Sequence, residues 1–205
     1  LTVRLILVRH GESEANAIGI MQGRMDSPLT RKGRRQAEAV AQKLAKILVP
    51  SNVFSSPLSR ALETAKIIAT KFELEPVIIP ELQERDLGLA TGMTWEQASS
   101  LWPDNTWDIK IGKPSGAWPQ GETRVELQQR AHKALEKILS IQKSGTAIVV
   151  SHAGLMRALI KQIMYKHMNT DLDPKISNCS ITELQITDGK YNLLCLNDTS
   201  HLELV

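Results

Sequence analysis

The stretch Leu5-Ile6-Leu7-Val8-Arg9-His10-Gly11-Glu12 decides how the chain folds. Its first half has the length and composition of a buried strand, and the run then breaks off into arginine, histidine and glycine. In open α/β sheets the strand ends are where ligands bind. An arginine placed there offers a planar fork of donors to an anion. A histidine, with an ordinary pKa near ~6.5, is partly neutral at physiological pH and can serve as a nucleophile. Gly11 lets the backbone turn sharply or approach a ligand closely. The competing reading is a strand that ends in two ordinary polar residues.

A second stretch repeats the pattern. Thr146-Ala147-Ile148-Val149-Val150 is almost continuously apolar, as in a strand covered on both faces, and it ends in Ser151-His152-Ala153-Gly154. Leu155, Leu159, Ile160 and Ile163 then mark a helix. Between the two stretches, strand and helix signals alternate. Thr2 to Val8 is the first strand, and Ser13 to Leu29, rich in turn residues, reads as a long loop of the functional kind. Thr30 caps an amphipathic helix carrying Ala37, Val40, Ala41 and Leu44, stopped by Pro50. Val53 to Ser56 is a short strand, after which Ser56 caps a helix with Pro57 in its first position and Arg60 in its first turn. Arg60 stands either beside the ligand edge or, as surface arginines more often do, in solvent.

Pro76 to Ile79 reads as a third strand, followed by a charged loop, Glu81 to Gly88, in which Glu84 or Asp86 offers the site a carboxyl or is simply a surface acid. Thr94 with Gln97 and Thr123 with Glu126 are capping boxes that start two further helices. Trp102 to Gly121 is irregular and holds Trp102, Trp107 and Trp118; it is a lid across the site or a loop whose tryptophans pack on the body. Ser180 to Ile186 and Tyr191 to Leu196 form a hairpin joined by Asp188-Gly189. The alternation predicts one α/β domain over residues 1–205, a three-layer α/β/α arrangement with a mostly parallel central sheet and a cap-like insertion around 81–121.

Composition narrows the class. The chain is 42% hydrophobic and 23% charged, enough to build a core, and its net charge of +3 gives no case for nucleic acid as a partner. No apolar run is long enough to span a membrane, and the N-terminal stretch lacks the layout of a signal peptide. Cys179 and Cys195 have no metal-type spacing. A reduced, cytoplasmic protein is the simplest expectation, with one disulfide left open.

Three strand ends and one helix start thus supply Arg9, His10, Arg60, Glu84 and His152. Two converging arginines suit a phosphate through charge-assisted, bidentate hydrogen bonds. A neutral histidine can attack phosphorus while a second, protonated one binds the equatorial oxygens. A carboxylic acid can protonate the departing alkoxide and then act as base for water. Such a site needs no metal or other cofactor, because side chains supply the cations; P-loop and zinc-helix motifs are missing from the sequence.

With these residues in place, the chain resembles the histidine phosphatase superfamily, the phosphoglycerate mutase-like proteins. The resemblance rests on Arg9-His10-Gly11-Glu12, on Gln22-Gly23-Arg24 with Pro28-Leu29-Thr30, and on Ser55-Ser56-Pro57-Leu58-Ser59-Arg60. It extends through Leu82 with Glu84 and Gly88, Gly121-Glu122-Thr123, Ser151-His152-Ala153-Gly154, and Asn197-Asp198-Thr199 with His201. It implies that His10 is the nucleophile that becomes phosphohistidine and that Glu84 is the proton donor, with Asp86 as the fallback. It also implies a phosphate pocket of Arg9, Arg60 and His152, lined by Asn16, Gln22 and Gly23. His201 takes a structural job, and His132 and His167 are surface or packing residues. The mutases of the family share an insertion with paired arginines, and a tyrosine and a lysine after the acid, which this chain lacks. The resemblance therefore implies a metal-independent phosphatase for small phosphorylated metabolites, with a cofactor-dependent phosphoglycerate mutase and a non-catalytic phosphoryl-binding module as alternatives. The tryptophans point to substrates with an apolar part, and a homodimer is left open.

Overall fold

A computed structural model describes residues 1–168 and 174–203, with the backbone alone for 164–168. The strands are β1 (Thr2–Arg9), β2 (Asn52–Ser55), β3 (Pro76–Ile78), β4 (Gly145–Ser151), β5 (Ile181–Thr187) and β6 (Lys190–Asp198). The helices are α1 (Glu14–Ala17), α2 (Arg31–Ile47), α3 (Ser59–Thr70), α4 (Trp95–Leu101), α5 (Pro103–Lys110), α6 (Arg124–Ile141) and α7 (Ala153–Met168). The six strands form one sheet in the order β3-β2-β4-β1-β5-β6. The first four in that order run parallel, and β5 pairs antiparallel with both β1 and β6.

Side-chain alternation along β1 builds the layers. Val3, Leu5 and Leu7 face a core closed by α6 and α7, through residues such as Leu135, Ile138, Leu155 and Ile160. Ile6 and Val8 face the opposite core, closed by α2 and α3 through Val40, Leu44, Ala65 and Ile68. Burial of each large aliphatic side chain here contributes about 1.5–3 kcal/mol. A third, smaller cluster gathers Ala90, Ala98 and Trp118 with Met21, Leu87, Trp95 and Trp102. Asp188 (φ 49°) and Gly189 (φ 76°) make the β5–β6 turn, both in the left-handed region the hairpin requires.

Three boundaries differ from the sequence expectation. The stretch after Ser13 contains α1, held by a reciprocal cap between Ser13 and Asn16. Trp102 to Gly121 contains α5, started by Pro103 in its first position. Helix α3 begins after Leu58, not at Pro57, and has no side-chain cap. The Ser56 hydroxyl is engaged elsewhere, by His152 at 2.8 Å and by the amide of Leu58 at 3.3 Å. Both cysteines are free. Among the described residues, no helix is long and apolar enough to cross a membrane.

Candidate active site

The site follows from strand register. Arg9 of β1 lies beside Ser151 of β4 in parallel pairing, and the His10 amide extends the ladder to the Ser151 carbonyl at 3.0 Å. His10 and His152 therefore leave the sheet side by side, with ring centroids 5.0 Å apart. Both are buried. His10 Nδ1 lies 2.7 Å from the Gly11 carbonyl, which can only accept, so the ring proton sits on Nδ1 and the lone pair on Nε2. Nε2 in turn accepts from Arg60 Nε at 3.3 Å. Burial, reinforced by the charges of Arg9 and Arg60, holds His10 well below the usual histidine range and keeps it neutral.

Arg60 is fully buried in the first turn of α3, and the solvent reading fails. Its terminal nitrogens donate to the carbonyls of Met25 (2.9 Å) and Gly23 (2.8 Å), so the loop after α1 aims the guanidinium. Gly23 (φ 50°) is left-handed, which glycine adopts without strain. Arg9 donates to the Ile176 carbonyl at 2.7 Å. Burial, with Arg157 and Arg60 pressing the same way against the pull of Glu84, lowers Arg9 to about 10. Arg9 Nε and His152 Nδ1 are buried without a hydrogen-bond partner among the described residues. Arg9 lines the cavity of the site, whereas His152 is fully buried and is not among its lining residues.

The expectation of a protonated second histidine is corrected. Burial, then the charges of His10, Arg60 and Arg9, push His152 well below its ordinary value, so the neutral ring is favoured. If Ser56 donates to Nε2, the ring proton lies on Nδ1, the orphaned atom.

Glu84 follows the short helical turn Pro80–Leu82 and reaches the start of α7. Its carboxylate accepts from the amides of Arg85 (2.7 Å), Gly154 (3.1 Å) and Leu155 (3.2 Å). A Cβ at position 154 would run into this carboxylate, so glycine there makes room for the acid. Arg9, His10, Asn16, Gln22, Gly23, Arg60 and Glu84 all line one cavity of about 700 Å³, with Ala153 and Gly154 completing the wall next to His152. Asn16 Oδ1 accepts from Asn178, and Gln22 Oε1 accepts from Ser13.

Other candidates fall outside the cavity. Asp86 caps the amide of Gly88 and lines a separate outer cleft, so it does not replace Glu84. His132 faces Glu136 on the surface, and His201 meets the Cys179 carbonyl at 2.9 Å, a packing contact. The side chain of His167 lies outside the described residues. Among the described residues, no group of three or more His, Cys, Asp or Glu could hold a metal ion.

Several contributors were not foreseen. Asn178 donates to the His10 carbonyl and to Asn16. Thr64 accepts the Gly11 amide at 3.1 Å. Arg130 binds both oxygens of Glu122 at 2.7 Å and the carbonyls of Glu81, Gln83 and Glu84, fixing the segment that carries the acid. Ser56 and Thr64 had a signal, the first in the Ser55-Ser56-Pro57 motif and the second in the matching stretch one turn beyond Arg60.

The chain is 36% identical to phosphoglycerate mutase-like protein 4 of Arabidopsis thaliana, over 97% of this chain and 86% of that one. It is 35% identical to the metal-independent phosphoserine phosphatase of the same plant, over 98% and 84%. The solved structure of Bacillus stearothermophilus YhfR superposes with a TM-score of 0.87 at 29% identity, covering 98% of this chain and all of that one. The sequence pattern of the histidine phosphatase superfamily (branch 1) matches residues 5–199, and the chain belongs to that family.

Proposed function

We propose that the protein is a metal-independent phosphatase that hydrolyses small phosphomonoesters through phosphohistidine at His10. The observation that carries this reading is His10, buried and held neutral in the cavity wall, with the lone pair of Nε2 beside the Arg60 guanidinium. The phosphoryl group binds against Arg9, Arg60 and His152. Nε2 attacks phosphorus in line with the ester oxygen, the P–N bond forms as the P–O bond breaks, and the departing alkoxide takes a proton from Glu84, which has first been loaded with it by the monoanionic phosphomonoester or by solvent. The Nδ1 proton, held by Gly11, stabilises the charge that develops on the ring. Water then attacks the phosphohistidine, Glu84 takes its proton, and phosphate leaves from a regenerated neutral His10. The guanidinium groups are fixed before substrate arrives, so the transition state's equatorial charge meets donors that need little reorganisation.

Phosphoserine, named for one relative, is a candidate substrate. A second reading, phosphoglycerate mutase activity, is favoured by one observation. The cavity wall carries Arg85, Lys110, Arg124, Arg157 and Lys161, cations the sequence expectation had not placed there. A mutase must retain a bisphosphate, and cations serve that end.

The test is hydrolysis of p-nitrophenyl phosphate with and without EDTA, combined with trapping of acid-labile protein phosphate. The phosphatase reading expects turnover unaffected by EDTA and a trapped phosphoryl group absent from His10→Ala. Undiminished turnover in His10→Ala rejects it. Interconversion of phosphoglycerates that depends on 2,3-bisphosphoglycerate and outpaces hydrolysis would select the mutase.

A further inference from the structure

Glu84 stands on a segment without regular structure. Between the short helical turns Pro80–Leu82 and Gly88–Ala90 the chain forms neither helix nor strand, so its backbone polar groups need partners from elsewhere. One ion pair supplies many of them. Arg130, two turns into α6, donates from all five of its N–H groups. Two bonds go to the Glu122 carboxylate oxygens at 2.7 Å each, and three to the carbonyls of Glu81 (2.8 Å), Gln83 (2.7 Å) and Glu84 (3.2 Å). Glu122 Oε2 also accepts the Asp86 amide at 3.2 Å, and the Glu122 amide donates to the Asp86 carbonyl at 2.9 Å. The pair therefore grips the main chain before Glu84, at Glu84 and after it.

Both side chains are largely buried, 15% and 9% exposed, and neither lines the catalytic cavity; both line the outer cleft. Arg24, 3.7 Å from Glu122 and more exposed, is a weaker partner. Helix α6 gives the grip a fixed base, since Thr123 and Glu126 cap its start and Leu127, Ala131 and Leu135 are buried in the core. Glu84 is thus held between two helices, its main chain by α6 and its carboxylate by the first amides of α7. An error in the first hold moves the second.

We propose that Arg130, paired with Glu122, is a positioning residue for the general acid: it sets the Glu84 carboxylate against the departing oxygen without touching substrate. The proposal rests on the phosphatase reading and adds the groups that place its acid. Lysine cannot replace Arg130, because three donors on one nitrogen do not match a planar fork that serves five bonds. A displacement of about 1 Å can slow a reaction about 100-fold. Here the loss falls on esters whose leaving group needs the proton.

The experiment uses Arg130→Lys, which keeps the positive charge that presses on His152 and changes the geometry. kcat/KM is measured for benzyl phosphate, an alkyl ester, and for p-nitrophenyl phosphate, similar in shape but with a good leaving group. The expected loss is about 10- to 100-fold on benzyl phosphate and about 3-fold or less on p-nitrophenyl phosphate. In a Glu84→Gln background, Arg130→Lys should reduce benzyl phosphate turnover no more than that of p-nitrophenyl phosphate, because the acid it places is gone. Amide hydrogen exchange gives a readout without turnover: Gly154 and Leu155 should exchange severalfold faster in Arg130→Lys, with Ile148 and Val149 of β4 unchanged. Glu122→Gln, of the same shape, should repeat the split between the esters. Equal losses on the two esters, no loss on either, a selective loss that persists in Glu84→Gln, or unchanged exchange at Gly154 and Leu155 overturns the proposal. Loss of cooperative unfolding in both Arg130→Lys and Glu122→Gln also overturns it, since the pair would then serve the fold and not the acid. Failure of the phosphatase reading shows separately, as wild-type protein that turns over neither ester, and the exchange measurement then still decides whether Arg130 places Glu84.

Discussion

His10 and His152 are two imidazoles buried side by side under two guanidinium groups, and their environment favours neutrality in both. For His10 this preserves the lone pair below the pH at which a free histidine would protonate. The same property sets a dependence of stability on pH. A histidine whose folded pKa is depressed binds fewer protons folded than unfolded, so stability is lost as pH falls below the unfolded value of ~6.5. The slope is about 1.4 kcal/mol per pH unit for each such group until the folded pKa is reached. His201, lowered mainly by burial, adds a smaller contribution of the same sign. Asp198, held near 2 by Lys43, acts only well below this window, where its stabilisation is lost as pH falls. Urea midpoints should therefore decline from about pH 7 to about pH 5, and His10→Ala should remove roughly half of the decline. A midpoint that stays flat across that range would contradict neutral burial of the pair.

Helix α7 joins the acid to the sheet. Its first amides hold the Glu84 carboxylate, and Gly154 is the residue that admits it. Gly154→Ala would displace a flexible side-chain end rather than backbone, so the fold should persist while the acid moves. We expect kcat for an alkyl ester such as glycerol phosphate to fall about 10- to 100-fold, part of the ~10²–10⁴ range of general acid catalysis. The loss on p-nitrophenyl phosphate should be smaller, because that leaving group needs little protonation. Equal losses on the two esters, measured in parallel, would remove Glu84 from the acid role. Strands β1 and β4 and the starts of α2, α4 and α6 were legible because continuous apolar runs of strand length and side-chain caps are local signals. Helix α5 was not, since its sequence mixes tryptophan, proline and charge without a clear apolar stripe. Ser56, Asn178 and Arg130 act through partners between 40 and 170 positions away, a distance over which no spacing rule operates.

The whole molecule carries a net charge of only +3, yet the cavity is lined by seven basic side chains and one acidic one, so the local field exceeds what the total implies. Composition could not reveal this, because the cations come from β1, α3, the segment after β3, α5, α6 and α7, and fold topology alone gathers them. A low-dielectric cleft of one sign concentrates oppositely charged ligands and speeds their capture. The acceleration must weaken as salt shortens the Debye length from ~30 Å at 0.01 M to ~8 Å at 0.15 M. Buried contacts inside the site are screened far less, because solvent ions do not enter between Arg60 and His10. Salt should thus separate capture from chemistry. Raising potassium chloride from about 0.01 M to about 0.3 M should lower kcat/KM for p-nitrophenyl phosphate several-fold, with kcat nearly constant. A doubly anionic phosphomonoester such as 3-phosphoglycerate should show the steeper decline, since its larger charge feels more of the same field. If kcat fell in step with kcat/KM, salt would be acting on the reacting groups themselves, and the cavity's outer cations would have no part in drawing substrate in.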